Sequence, residues 1–212
     1  MKECILSLSN FYVMDQDYQV LRNINLKLKS GETLAILGQD GSGTSAFING
    51  LTGKSLALGQ LFYKSKLVDF TLNNLRRHKI EIITDKPKLM ENMSVSENLF
   101  LGTSRQKNLP IFYSNKKIAK ISEIILEKYN LNLNPRTKVK ELTLEEKKNL
   151  AFVRAFSCGA NVVILYEPSE NISLTSLRNL HSMIKMHKSE GKSVIYITKQ
   201  WEDALRIADR IA

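Results

Sequence analysis

Hydrophobic and polar positions along this chain follow two rhythms. Val20-Leu21-Arg22-Asn23-Ile24-Asn25-Leu26-Lys27-Leu28 alternates apolar and polar residues, and Ile5 to Leu8 does so more weakly. Period two turns one face inward and one to water, so both segments read as half-buried antiparallel strands joined by a polar turn around Asp15-Gln16-Asp17. Leu58-Gly59-Gln60-Leu61-Phe62-Tyr63 restarts strand chemistry, and Lys79 to Thr84 gives another strand, cut off by Asp85-Lys86-Pro87. Asn161 to Tyr166 and Ser193 to Thr198 are near-continuous apolar runs, the pattern of parallel strands covered on both faces.

The helical rhythm occupies the intervals. Ser94-Val95-Ser96-Glu97 is a capping box at the head of a short helix, its hydroxyl and carboxylate satisfying first-turn amides. Asn115 to Tyr129 carries apolar residues at 118, 121, 124, 125 and 126, one buried stripe. Thr143-Leu144-Glu145-Glu146 opens a helix running to about Cys158, again with the capping-box pattern. Further helices are expected from Ser176 to Ser189 and from Gln200 toward Asp209. There is no internal repeat and no low-complexity linker.

Candidate chemistry enters at Leu34-Ala35-Ile36-Leu37, an apolar run that empties into Gly38-Gln39-Asp40-Gly41-Ser42-Gly43-Thr44-Ser45. Ala46-Phe47-Ile48-Asn49-Gly50-Leu51 then begins a helix. Strand, glycine turn and helix are the layout of a phosphate-binding P-loop, G-x-x-x-x-G-K-[ST]. Gly38 and Gly43 have the required spacing, and Ser45 holds the hydroxyl position that touches magnesium. Thr44 stands where the motif has lysine. Backbone amides of Gly41 to Ser45 and the helix N-terminus can still hold an anion, because those donors are independent of side chains. Thr44 offers a hydroxyl but no charge, and Asp40 adds a negative one, so weakened nucleotide binding is the expectation.

Composition narrows the classes. Hydrophobic residues at 43% and charged residues at 25% are ordinary for a globular chain of 212 residues. No stretch approaches the roughly 20 apolar residues of a membrane span, and Met1-Lys2-Glu3-Cys4 lacks a signal peptide's apolar region. Cys4 and Cys158 lie far apart without metal or redox spacing, which fits a reduced, cytosolic setting. The charge of +10 comes from scattered lysines, among them Lys27, Lys64, Lys116 and Lys147. A solvated basic surface is the first reading, contact with acidic partners or lipid the second, and nucleic acid the last.

The order of features resembles the nucleotide-binding domain of ABC transporters, closest to the first ATPase half of simple-sugar (ribose/galactose-type) importers. The residues that carry this are Val20-Leu21, Ile24, Leu26 and Gly31-Glu32 before the P-loop, and Leu51-Thr52-Gly53 after its helix. Met93 to Gly102, Asn132 to Pro135, Val139 to Thr143, Val163 to Ser169 and Ile207 to Ile211 continue the series. The resemblance implies an α/β P-loop NTPase fold of the ABC ATPase type. Its parts are a three-layer core with mixed sheet, an N-terminal antiparallel β subdomain and a helical subdomain at roughly 86–158 of a single 1–212 domain. It also implies ATP and Mg2+ as cofactors, and a second ABC ATPase domain, tandem or dimeric, as partner. A transmembrane permease subunit and a cytoplasmic position on the inner face of the membrane follow, with the chain as the N-terminal part of a longer polypeptide.

Each functional part of that family is altered here. Glu167 keeps the position that polarises the attacking water, while Tyr166 replaces the metal-side carboxylate. Glu145 falls where the signature segment has glycine, with Glu146 beside it. Two carboxylates aimed at a triphosphate would repel it, but the first reading of this segment is an ordinary helix cap, Thr143 with Glu146. Asp85 stands for the glutamine that links nucleotide to the helical subdomain and is a weak metal candidate beside Ser45; Lys199 stands for the histidine that contacts the γ-phosphate. Tyr12 and Tyr18 are candidates for adenine stacking or ordinary strand residues. Three functional readings follow. One is a degenerate ATP-binding domain of a sugar-importer-type subunit with weak or absent hydrolysis and a scaffold or regulatory role. Another is a working transport ATPase relying on Glu167 and Lys199, and the third is an interaction domain that binds no nucleotide.

Overall fold

The computed structural model describes residues 3–15, 18–101 and 115–212. Its first sheet grows from the alternating segments. β1 (Cys4–Asp15) and β2 (Tyr18–Lys29) pair antiparallel with Leu6 opposite Leu28 and Leu8 opposite Leu26. The expected turn at Gln16-Asp17 lies outside the described residues, as does Gly102. β4 (Leu56–Tyr63) and β5 (Lys66–Val68) complete an antiparallel sheet of order β2-β1-β4-β5, with β3 (Thr33–Leu37) in the second sheet. Phe11 and Val13 are fully buried on its inner face, toward α1 (Thr44–Thr52). The Phe11 ring meets Phe47 edge-on at 5.6 Å, and a Cβ on Gly50 would lie 2.7 Å from Val13 Cγ2, so glycine there lets helix and sheet approach.

The second sheet is parallel, of order β6-β7-β8-β3-β9, with β6 (Ile80–Ile83), β7 (Val162–Tyr166), β8 (Ser193–Thr198) and β9 (Arg210–Ile211). Its continuous apolar runs are buried on both sides because neighbouring residues serve two cores. Val162, Ile164, Ile195 and Ile197 pack with α1 and the first sheet. Val163, Leu165, Val194 and Tyr196 pack with the helices of the opposite layer. Those helices are α3 (Val95–Phe100), α4 (Asn115–Lys128), α5 (Leu144–Ser157), α6 (Leu174–Ser189) and α7 (Trp201–Ile207), while α2 (Leu72–Arg77) precedes β6. The layering is the α/β arrangement expected, except that among the described residues no sheet is mixed: the antiparallel pairings stay in one sheet, from the N-terminal third, and the parallel ones in the other.

Both capping boxes form: Ser94 with Glu97 starts α3, and Thr143 with Glu146 starts α5. α6 begins two residues before the expected Ser176, because the Ser173 side chain accepts the Ser176 amide at 3.2 Å and caps the turn. β5 and α2 were not expected. Each is too short to show a period, and α2 is marked only by Thr71 accepting the Asn74 amide and by the buried Leu75. Gly31-Glu32 and Asp209-Arg210, far apart in sequence, meet at one end of the sheet. Glu32 accepts Arg210 Nε at 2.8 Å and the Lys29 amide at 2.6 Å, while Asp209 accepts the Thr33 amide at 2.8 Å. Among the described residues no helix is long and apolar enough to cross a membrane.

Candidate functional site

The parallel register decides where the site must be. Leu37 pairs with Thr198, Ile197 with Tyr166, and Leu165 with Ile83, so four strands end at one level. The chain leaves them at Gly38, Lys199, Glu167 and Thr84-Asp85. The carboxyl edge of a parallel sheet is where open α/β folds hold ligands. Every candidate named from the P-loop, Glu167, Lys199 and Asp85 therefore gathers along this edge.

The loop itself is a tight turn. Gly41 and Gly43 have φ of +85° and +89°, and Gly43 precedes the first residue of α1 in this left-handed state. Gly43 also lies under Leu21, whose Cδ2 would be 2.6 Å from an added Cβ. Gly38 admits a still closer approach: an added Cβ would lie 2.4 Å from both Ser42 Oγ and Thr44 Cγ2. The side chains of Ser42 and Thr44 thus fold back over Gly38. The Ser42 amide donates to the Gln39 carbonyl at 3.0 Å, so this member of the expected amide cradle closes the turn itself. The amides of the first turn of α1 have no carbonyl within the helix to donate to and remain suited to an anion. Ser45, expected at the metal, is exposed at the start of α1.

The two substituted positions face one another. The Tyr166 phenol, at the end of β7, lies beside the Thr44 side chain. Burial pushes the phenol's pKa up, with smaller contributions from Glu167, Asp85 and Glu170, so Tyr166 is neutral. Neighbouring Glu167 is 6% exposed and adopts φ of +44°. Its carboxylate accepts weakly from the Lys199 amide and the Thr198 hydroxyl, each at 3.5 Å. Burial raises its pKa, opposed chiefly by the Lys199 amide.

Lys199 projects from the end of β8 and is held by acids. Its Nζ lies 2.7 Å from Glu170 Oε1 and 3.7 Å from Asp40 Oδ1, so one ammonium spans the turn after β7 and the P-loop. These contacts raise its pKa, with the Glu170 hydrogen bond first. A second ammonium was missed from sequence. Lys148 on α5 is 4% exposed, and its Nζ donates to the carbonyls of Glu167 at 3.0 Å and Glu170 at 2.6 Å. Burial lowers its pKa, offset by Glu170, Asp85 and Glu167. The signal was available: position 148 falls one turn before Phe152, on the apolar face of α5, where a lysine must find acceptors.

The carboxylates of the signature-like segment serve as caps, as the helix-cap reading of Thr143 with Glu146 expects. Glu146 accepts the Thr143 amide at 2.8 Å and so closes its own capping box. Glu145 accepts from the Ser173 amide at 3.0 Å, the Ser173 hydroxyl at 2.6 Å and the Ser176 hydroxyl at 2.5 Å. These bonds hold its pKa below the ordinary carboxylate range, Ser173 contributing first. Glu145 is therefore a cap on α6 supplied from α5. Glu145→Ala should cost about 1 kcal/mol, read as a drop of about 2–4 °C in the thermal midpoint. Tyr12 pairs with Leu58 on β4 and alternates with the inward-facing Phe11 and Val13. The Tyr18 side chain lies outside the described residues.

Magnesium fits this set poorly. Magnesium takes six oxygen ligands in near-octahedral array, several of them waters, and is held by one or two protein carboxylates together with substrate phosphates. Here the metal-side position is a neutral phenol, and two ammonium groups flank Glu167 and Glu170. Among the described residues no group of three His, Cys, Asp or Glu is arranged to hold a metal ion.

Comparison with known proteins places this arrangement. A family described as ABC transporter matches residues 21–170. The ribose import ATP-binding protein RbsA of Jannaschia is 30% identical over 196 residues, 92% of this chain and 38% of that protein. RbsA of Caldanaerobacter subterraneus subsp. tengcongensis is 29% identical, covering 98% of this chain and 42% of its own length. The galactose/methyl galactoside import ATP-binding protein MglA of Pasteurella multocida is 26% identical over 99% of this chain and 41% of its own. The chain thus spans about two fifths of the length of these curated relatives. A nucleotide-free ATP-binding cassette from an ABC transporter superposes with a TM-score of 0.80 at 20% identity, covering 98% of this chain and 86% of that one. The post-hydrolysis dimer of the cassette MJ0796 bound to ADP and Pi gives 0.81 at 20% identity, covering 98% and 93%. With strand order, P-loop and matched family in agreement, the chain belongs to the ABC transporter family, as one of its ATP-binding domains.

Proposed function

We propose that this chain is the ATP-binding half of a sugar-importer-type subunit that binds nucleotide and hydrolyses it weakly or not at all. It acts as a scaffold or regulatory partner to a second ABC ATPase domain, tandem or dimeric, and to a transmembrane permease, on the inner face of the membrane. In this reading 1–212 is one domain, with 86–158 as its helical part, drawn from a longer polypeptide.

One observation carries the reading. The side chains at positions that would grip phosphate and metal are held within the chain: Lys199 pairs with Glu170 and Asp40, Glu145 accepts from Ser173 and Ser176, and a neutral phenol, Tyr166, lies beside Thr44. Phosphoryl transfer depends on charge aimed at the transferring group, and removing one key donor costs about 100–1,000-fold in rate. What survives is the backbone of the glycine turn and the start of α1, which supports binding more than turnover. The names of the curated relatives support the sugar-import context.

The test is purified protein with magnesium and ATP, followed for bound nucleotide and released phosphate. Saturable binding with phosphate release at the blank rate is expected. Glu167, kept at the end of β7, favours a second reading as a working ATPase. Turnover lost on Glu167→Gln would establish that reading and overturn the first. Absence of any binding would instead support an interaction domain.

A further inference from the structure

Where a metal-assisted site sets carboxylates around a dication, this one sets ammonium groups around carboxylates. We infer that the cassette takes its nucleotide as the metal-free triphosphate, with the Lys199 ammonium supplying the charge that magnesium supplies elsewhere. This rests on the reading above that the site binds ATP.

Three features lead to it. Tyr166 brings a phenol and no carboxylate to the metal-side position at the end of β7. The turn after β7 already holds two cations. Lys148 is fixed by the carbonyls of Glu167 and Glu170 at 3.0 and 2.6 Å, and Lys199 is paired with the Glu170 carboxylate at 2.7 Å. Together they carry the charge of one divalent ion, set against the carboxylates of Glu167, Glu170, Asp40 and Asp85 along the same edge. Lys148 is buried and balances the turn, whereas the Lys199 side chain is 38% exposed and leans toward the P-loop.

The second partner of Lys199 makes the exchange easy. Asp40 lies at 3.7 Å with its side chain 93% exposed, a loose pair in full contact with water. Such pairs hold weakly, so a phosphate oxygen can take the place of the Asp40 carboxylate without uncovering a buried charge. A lysine also imposes no coordination geometry, and it binds phosphate as a point charge. The amides at the start of α1 complete the cradle.

The experiment is calorimetric titration of the full chain with ATP in EDTA and in magnesium at matched ionic strength. Dissociation constants in the two buffers should agree within about threefold. Lys199→Gln should weaken binding in EDTA about tenfold, Lys199→Arg should retain it, and Asp40→Asn should tighten it. Equal thermal midpoints of parent and variants establish that each is folded. Binding that requires magnesium overturns the inference and leaves the ATP-binding reading standing. Equal affinity of parent and Lys199→Gln in EDTA overturns the role of Lys199. No binding in either buffer overturns the ATP-binding reading and this inference with it.

Discussion

Replacing Thr44→Lys and Tyr166→Asp together should make ATP binding magnesium-dependent and tighten it about a hundredfold or more. Each substitution restores one charge-assisted contact of about 1.5–3 kcal/mol, and about 3 kcal/mol corresponds to a factor of about 150. Neither should work alone. Thr44→Lys sets an ammonium beside the Tyr166 phenol and leaves no anion there for a metal. Tyr166→Asp adds a carboxylate close to Asp85, Glu167 and Glu170, which already act on this position, with no new cation beside the loop. Residues in contact couple by about 0.5–3 kcal/mol, so a double-mutant cycle read by calorimetry should show strong positive coupling. Phosphate release should stay near the blank even in the double variant, because Glu145 still caps α6 where the family has glycine. A double variant no tighter than the parent would mean that the loop, and not its missing charges, sets the affinity.

Much of the fold was legible in the sequence because burial leaves a periodic trace. The alternation from Val20 to Leu28 fixed an antiparallel strand, and the unbroken apolar runs at 162–165 and 193–198 fixed strands covered on both faces. Capping boxes marked the starts of α3 and α5 to the residue. What escaped was short or settled by distant partners. β5 and α2 are too brief to carry a period, and the start of α6 depends on Ser173, a polar residue of the kind common in loops.

The site was legible as a set of positions and illegible as a set of contacts. Strand ends at Leu37, Tyr166 and Thr198 could be read from pattern, and the parallel register then brings their loops together. Spacing says nothing about where a substituted side chain turns. Glu145 reads in isolation as a charge facing a triphosphate, yet the nearby hydroxyls of Ser173 and Ser176 draw it onto α6. Lys148 reads as one of many lysines until α5 is packed and its ammonium lies against two carbonyls. Among the departures from the family pattern, Lys199, Glu145 and Glu146 each take up a partner within the chain.

Acidification should destabilise the protein through one residue far from this site. His187 on α6 is 3% exposed, stacked edge-on against Phe156 at 5.2 Å, with its Nε2 buried and lacking a partner. Burial first, and then Lys192, pushes its pKa from 6.5 down to about 4, opposed by Glu190. The folded pKa lies below the unfolded one, so the contribution to stability is fully present above pH 6.5 and is lost as pH falls through about 4. At about 1.36 kcal/mol per unit the shift amounts to about 3 kcal/mol, a large share of the roughly 5–15 kcal/mol that holds a domain folded. His187→Leu keeps an apolar body in the same position and removes the titration. Urea unfolding of parent and variant across this range should therefore diverge, the parent losing about 3 kcal/mol more than the variant by about pH 4. The carboxylates whose pKa values are lowered, Glu97, Glu145 and Glu190 among them, titrate in both proteins and largely cancel from the difference. Parallel curves for the two proteins would mean that the His187 ring takes up its proton in the folded state without penalty, and that the packing of α6 against Phe156 admits water.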